Sequence, residues 1–203
     1  HSGKLMTTAV NNTLVGALAG DAVTTGDDNT SLGYFSLSAN TVGNNNIAIG
    51  VSALATNVAS DRNVAIGNNA LNAMTSASTV DSYNVAVGHA AGAAVTSGTN
   101  NTLIGAKAGD ALQDDSNNVA VGTDAMTDLQ TDNCVAVGYA AMHAATTSAR
   151  TTAIGRTALG GATLTGNDNT ALGYQAGHVL TSGAQNTLIG NLAGDALTTG
   201  DNN

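Results

Sequence analysis

Short aliphatic triplets alternate with polar, glycine-containing stretches along the whole chain. Each triplet follows a polar residue, usually Asn, and ends at a glycine, as in Asn46-Ile47-Ala48-Ile49-Gly50. Triplets of this length with flanking turn residues are typical of short β-strands. We call the closing glycine of each triplet the corner glycine. Eleven of them occur: Gly16, Gly33, Gly50, Gly67, Gly88, Gly105, Gly122, Gly138, Gly155, Gly173 and Gly190.

The corner glycines are mostly 17 residues apart, with one interval each of 16, 18 and 21. A fixed short period is the sequence signature of a solenoid, in which each repeat contacts only its neighbours. The sequence therefore predicts an all-β parallel β-solenoid of about eleven 17-residue coils. Residues 11–203 form this single repeat domain, interpreted as a fragment of a longer array, and residues 1–10 are expected to be an N-terminal leader that is partly a tag remnant.

Four places before the corner glycine stands an asparagine in nine coils, and we call it the ladder asparagine. Asn hydrogen-bonds readily to its equivalent in the next coil of a stack, so a structural ladder is predicted. Cys134 and Thr151 interrupt it. The ladder residues are Asn12, Asn29, Asn46, Asn63, Asn84, Asn101, Asn118, Asn169 and Asn186.

Both faces of each triplet are apolar in most coils. The residue just before the corner is always a large aliphatic, and the one before that is Ala in seven coils. Adjacent strand residues point to opposite sides, and a single coil has only one interior. The second apolar face therefore predicts an oligomer, in which other copies of the chain cover this face. After the corner, a second short strand is expected, leading into the polar loop.

A leucine and a glycine occur together in three coils. Leu14, Leu103 and Leu188 take the usual Ala position two places before the corner, and Gly20, Gly109 and Gly194 follow four places after it. We hypothesise that the large side chain fills the room left by the glycine.

Composition restricts the classes of partner and chemistry that the chain can have. The chain of 203 residues has only 2 % aromatic residues, no Pro, one Cys and a net charge of −9. This acidity disfavours nucleic acid as a partner, and no run of residues is long and apolar enough for membrane insertion. A single cysteine excludes an intramolecular disulfide framework. No nucleophile, phosphate-loop or metal-helix motif is present, so an enzyme is not expected and no cofactor is predicted.

The repeated phrase resembles the head repeats of trimeric autotransporter adhesins and, more closely, the Asn-Thr-Ala-Ile-Gly-Tyr-Gln-Ala repeats of phage tail fibres. The best match is Asn169-Thr170-Ala171-Leu172-Gly173-Tyr174-Gln175-Ala176-Gly177. This resemblance implies a left-handed parallel β-roll or β-solenoid in each of three chains, which are intertwined or packed around one axis as a homotrimer. It also implies a structural and adhesive role in cell attachment, outside the cell, on a cell surface or in a virion tail fibre. The adhesin heads use a period shorter than 17.

Two alternatives stay open: an ice-binding or a calcium-dependent β-solenoid. Ice binding would need an unbroken threonine face, but the first triplet position alternates Thr with Ile and Val. Calcium is suggested by acidic turns, with Asp27, Asp28 and Asp168 as candidate ligands. A host-surface receptor or glycan could contact the aromatics Tyr34, Tyr83, Tyr139 and Tyr174. It could also contact the insertion around 79–83. The alternative, which the sequence slightly favours, is that these aromatics pack at the seam between chains.

Overall fold

The computed structural model describes residues 1–75 and 78–203, and this part of the chain is a parallel β-solenoid of about ten turns. Its eleven strands form one sheet in chain order, each paired in parallel with the next, and no described residue is helical. The predicted all-β parallel solenoid is therefore confirmed. The strands are β1 (Thr13–Val15), β2 (Thr30–Leu32), β3 (Ile47–Ile49), β4 (Val64–Ile66), β5 (Val85–Val87), β6 (Thr102–Ile104), β7 (Val119–Val121), β8 (Val135–Val137), β9 (Thr152–Ile154), β10 (Thr170–Leu172) and β11 (Thr187–Ile189).

Equivalent residues of successive coils lie directly over one another. Thr30 pairs with Ile47 and Leu32 with Ile49, and the same register continues through the sheet. At about 4.8 Å per strand, the ten steps from β1 to β11 span about 48 Å. Backbone hydrogen bonds also join the coils outside the strands, for example from Leu37 N–H to the Ala53 carbonyl at 3.0 Å.

The corner glycines are required by close approach of the next coil. Their φ angles lie between +130° and +143°, a region that side-chain-bearing residues rarely adopt. A Cβ atom on Gly33 would lie 2.5 Å from the carbonyl oxygen of Gly50, the equivalent corner one coil later. A corner that is followed by another coil can therefore stack on the next corner only when it lacks a side chain itself.

The predicted second strand after the corner is wrong. Residues two and four places after each corner have left-handed φ, as at Phe35 (60°) and Leu37 (51°). The residue between them has negative φ. This alternation turns the chain continuously, so it cannot extend as a strand. The segment forms turns whose third residue, usually Ala, faces the interior.

The core is a thin column inside the coils. The middle residue of most strands, such as Ala48 and Leu103, is fully buried, as are Leu54 and Leu71 in the turns. Small side chains dominate because backbone surrounds this interior closely on all sides. From Leu37 to Leu188 most of the buried apolar residues form one cluster, while Ala19 and Val23 of the first coil are buried outside it.

Leu103 fills the space above two glycines of successive coils. A Cβ atom on Gly92 would lie 2.7 Å from Leu103 Cδ1, and one on Gly109 would lie 2.7 Å from Leu103 Cδ2. Leu188 approaches Gly177 and Gly194 in the same way. The contact agrees with the hypothesis of a leucine compensating for a glycine, and it extends the pairing to the preceding coil.

Residues 1–10 lie against the first coil. Gly3 N–H donates to the Ala19 carbonyl at 3.1 Å, and Thr7 N–H donates to the Thr24 carbonyl at 2.9 Å. Gly3 has left-handed φ and precedes Gly20 by one 17-residue period. The expected leader thus occupies positions equivalent to the turns of a coil, while its origin as a tag remnant stays a prediction.

We predict that the leucine–glycine pairing can be exchanged. Leu103→Ala should cost about 2–5 kcal/mol of unfolding free energy through cavity formation, and Gly109→Leu about 1–3 kcal/mol through overpacking. The double variant recreates the Ala48/Leu54 arrangement and should recover a large part of the loss, measured by thermal or urea unfolding. Ala48→Leu with Leu54→Gly is the reciprocal control. Strictly additive losses in both double variants would contradict the pairing.

Candidate functional site

The first candidate surface is the outward face of the sheet. In each strand the middle side chain points inward and the two flanking side chains point outward, as in β4, where Ala65 is buried and Val64 and Ile66 are half-buried. We call the stripe formed by the last strand residues the aliphatic band. It consists of Val15, Leu32, Ile49, Ile66, Val87, Ile104, Val121, Val137, Ile154, Leu172 and Ile189.

The aliphatic band is substantially open to solvent in the single chain. Val15 is 53 % exposed, Leu32 48 % and Ile189 65 %. Beside it runs a second outward column, made by the first strand residues, in which Thr alternates with Ile and Val. The two columns together form a continuous, mostly uncharged strip about 48 Å long. Scattered exposed aliphatics are normal on proteins, whereas a contiguous strip of this kind marks an interaction surface.

The ladder asparagines support the turn at the other end of the strands. Each accepts a hydrogen bond from the backbone of the next ladder residue: Asn101 N–H donates to Asn84 Oδ1 at 3.0 Å. The Asn101 amide nitrogen in turn donates to the Asp115 carbonyl at 2.8 Å. The left-handed residue in this turn is the one before the asparagine, such as Asn100 (φ 59°). The side chains are buried and fully engaged, which suits structure rather than ligand binding.

Cys134 and Thr151 replace the ladder asparagine without leaving the turn open. Cys134 Sγ donates to the Ser148 carbonyl at 3.0 Å, as the missing amide would. Ser148 Oγ supplies the equivalent bond in the next coil, donating to the Gly166 carbonyl at 2.7 Å. Burial raises the pKa of the Cys134 thiol, although backbone hydrogen bonds from Thr151 and Arg150 oppose the shift. A neutral buried thiol is a poor nucleophile.

A second polar ladder runs beside the first, and sequence reasoning missed it. Two places before the ladder residue, an Asp, Asn or Ser side chain accepts the backbone N–H of the preceding coil. Asp27 N–H donates to Asn44 Oδ1 at 2.8 Å, and Asn44 N–H donates to Asp61 Oδ1 at 2.6 Å. Ser116, Asp132, Asn167 and Asp201 accept in the same way. We call this the Asx ladder.

The three calcium candidates have other partners in the structure. Asp27 is part of the Asx ladder, since its Oδ1 accepts the Val10 N–H at 2.8 Å, and Asp28 Oδ1 accepts from Asn11 Nδ2 at 3.0 Å. Asp168 accepts two hydrogen bonds from Arg150, at 2.8 and 2.9 Å. The hydrogen bond to Arg150 lowers the pKa of the Asp168 carboxyl and raises that of the guanidinium. Asp27 and Asp28 precede β2, whereas Asp168 precedes β10, eight strands farther along the stack. The three carboxylates therefore cannot form one shared calcium site.

Across residues 1–75 and 78–203, no group of three or more His, Cys, Asp or Glu side chains is arranged to hold a metal ion. The same residues contain no helix of the length and apolarity needed to cross a membrane.

Three of the four candidate tyrosines share one column at the surface. Tyr34, Tyr139 and Tyr174 directly follow a corner glycine, and all three are exposed. The structure adds Arg156, which occupies the same position in the coil between Tyr139 and Tyr174. Its guanidinium carbon lies 5.7 Å from the centroids of both rings. Stacking of equivalent positions brings together residues that are 17 and 18 apart in sequence.

Tyr83 lies elsewhere, in the turn that contains the insertion. Its ring lies 5.8 Å from the Arg62 guanidinium, and its hydroxyl donates to Asp81 Oδ2 at 3.1 Å. Arg62 also pairs with Asp81. These contacts join the described part of the insertion, from residue 78, to the preceding coil. After the insertion, Asn84 continues the asparagine ladder, since its N–H donates to Asn63 Oδ1.

The surface of the described residues includes two recesses. One, of about 350 Å³, is lined mainly by small and apolar residues around Phe35 and Leu5. The other, of about 210 Å³, lies among Gln113, Asp114, Asp115 and Gln130. Here burial raises the pKa of Asp115, while the backbone N–H of Gln113 opposes the shift. Burial likewise raises the pKa of Asp110, against the attraction of Lys107.

Comparison of the chain with models of protein families, with curated protein sequences and with solved structures finds no match in any of the three.

Acidification should relieve the cost of burying Asp115. Its folded-state pKa lies above the ordinary 3.8, so the penalty is fully present above the folded-state pKa and disappears as the pH falls below 3.8. Asp115→Asn should therefore raise the melting temperature at pH 7 and reduce the stability gained between pH 7 and 4. Asp114→Asn, an exposed neighbour, is the control for the same change in net charge. Equal effects of the two variants would contradict this origin.

Proposed function

We propose that the chain is a rigid segment of a homotrimeric extracellular fibre that mediates attachment, as a cell-surface adhesin or a phage tail fibre. The observation that carries the proposal is the aliphatic band: eleven large aliphatic side chains stacked in register, of which six are exposed and five half-buried in the single chain. A contiguous apolar strip of this kind on a protein surface marks an interaction site.

A second copy of the same chain is the partner that best fits the band. Its in-register repeat at about 4.8 Å is matched only by a surface of the same period, which another copy of the solenoid provides along its full length. Around a threefold axis, each chain would contribute its strip to a common apolar centre. The resemblance of the repeats to trimeric fibres favours three copies and a left-handed coil.

The polar and thiol groups of the described ladders have structural partners, in keeping with a structural role. The buried polar side chains of both ladders are committed to backbone groups, and the single thiol is buried with a raised pKa. Function would then reside in the shape and outer side chains of the rod. Its location would be the cell surface or the virion.

Light scattering after size-exclusion chromatography tests the assembly. We expect a mass three times the 19.8 kDa of one chain. The double variant Ile104→Asp/Ile154→Asp places charges in the aliphatic band and should shift the mass to that of one chain, because a charge in an apolar centre is costly. Gln113→Asp/Gln130→Asp adds two acids at exposed positions away from the sheet and should keep the wild-type mass. A wild-type mass of 19.8 kDa would contradict the trimer.

An ice-binding solenoid is the second candidate, because Thr152, Thr170 and Thr187 are neighbours in register on the outward face. Five aliphatic residues elsewhere in the same column weaken it. If the fibre proposal holds, the purified chain should show no thermal hysteresis. A clear hysteresis gap that is lost in Thr170→Lys would favour the alternative instead.

Thermal unfolding measured with and without a chelator tests the third candidate, a calcium-dependent solenoid. That candidate requires the chelator to lower the melting temperature, whereas the fibre proposal predicts no change.

A further inference from the structure

We infer that Tyr139, Arg156 and Tyr174 form a binding platform for acidic saccharides, meaning oligosaccharides that carry carboxylates. The inference rests on the proposed attachment role and names the ligand class and the site. These three residues, called the Tyr–Arg–Tyr platform, occupy the position after the corner glycine in three successive coils. Tyr139 is 49 % exposed and Tyr174 42 %, and Arg156 is exposed between them.

The positive charge of Arg156 is not neutralised by the chain. Arg62 and Arg150 each pair with an aspartate of the following coil, whereas Arg156 forms no ion pair with any described residue. Arg156 Nη1 donates a hydrogen bond to the Tyr174 hydroxyl at 3.4 Å. On a chain of net charge −9, an exposed guanidinium with free donors is an exceptional feature. The guanidinium fork matches the geometry of a carboxylate, with which it forms two parallel hydrogen bonds.

The two tyrosines hold the guanidinium and offer surfaces of their own. A cation 5.7 Å from each ring centroid is within the range of cation–π attraction, which restricts Arg156 to the middle of the column. Tyrosine combines a flat apolar ring with a hydroxyl, and it loses little conformational entropy on binding. The rings are two coils apart, about 9.6 Å, so one ligand could contact both only if it is longer than a single sugar ring.

The surroundings suit a sugar better than a purely apolar or purely ionic ligand. On one side lie the band residues Val137, Ile154 and Leu172, against which the C–H faces of a sugar ring can pack. On the other side the next residues are Ala140, Thr157 and Gln175, of which the last two offer polar groups to hydroxyls. No acidic residue occupies any of these positions, so none of these six residues would repel a carboxylate.

Isothermal titration calorimetry on the full chain tests the platform. The probe is a tetrasaccharide of alternating glucuronic acid and N-acetylglucosamine. We expect saturable binding that weakens as salt is added. The neutral tetramer of N-acetylglucosamine should bind at least tenfold more weakly, and so should a tetrapeptide of glutamate, which has the charge without the sugar rings.

Variants assign the binding to the platform. Arg156→Gln should weaken binding of the acidic tetrasaccharide at least tenfold, and Tyr174→Leu at least threefold. Tyr34→Leu is the matched control, because Tyr34 follows a corner glycine but has no arginine in the next coil; it should leave the affinity unchanged. Equal affinity for the neutral sugar or the glutamate peptide, no binding, or an unchanged affinity in Arg156→Gln would each overturn the inference.

Mass measurement separates this inference from the fibre proposal. Arg156→Gln should keep the wild-type mass, and a change of mass would assign the three side chains to a seam between copies and overturn the platform. A wild-type chain that binds the acidic tetrasaccharide but has the mass of one chain would support the platform while contradicting the trimer. A trimer that does not bind the acidic tetrasaccharide would support the fibre proposal and overturn the platform.

Discussion

The hydrogen bonds between successive coils are the constraint on which the rest of the structure depends. Because the backbone groups of one coil bond to those of the next, equivalent residues must lie over one another throughout the chain. A residue type that is favourable at one position is then favourable about every 17 residues. The corner glycines follow from this directly, since the carbonyl of Gly50 occupies the space where a Gly33 side chain would be.

The same stacking explains which parts of the fold could be predicted from sequence. Positions that tolerate one or two residue types, such as the corner and the ladder asparagine, are visible as a repeat. The Asx ladder was missed because Asp, Asn and Ser all satisfy it and its donor is a backbone N–H of any residue. The turn after the corner was mistaken for a strand because left-handed φ occurs there in Leu, Phe and Met, whose identities do not signal it.

Only part of the Tyr–Arg–Tyr platform could be predicted from the sequence, for a related reason. Tyr139 and Tyr174 stand out as rare aromatics in a chain with few of them, but Arg156 carries no motif of its own. Its significance comes from its position in the coil between theirs, with its guanidinium 5.7 Å from each ring. Likewise, the apolar character of both strand faces could be predicted, whereas the degree of exposure of the aliphatic band required the coordinates.

The two polar ladders act in opposite directions along the solenoid. A ladder asparagine offers its Oδ1 to the coil that follows, as Asn84 does for Asn101, whereas an Asx-ladder side chain offers its oxygen to the coil that precedes, as Asn44 does for Asp27. A folded block of coils therefore presents a prepared acceptor at each of its two ends. Growth of the folded region can propagate toward either terminus with side-chain assistance, so neither direction of chain folding has to rely on the backbone alone.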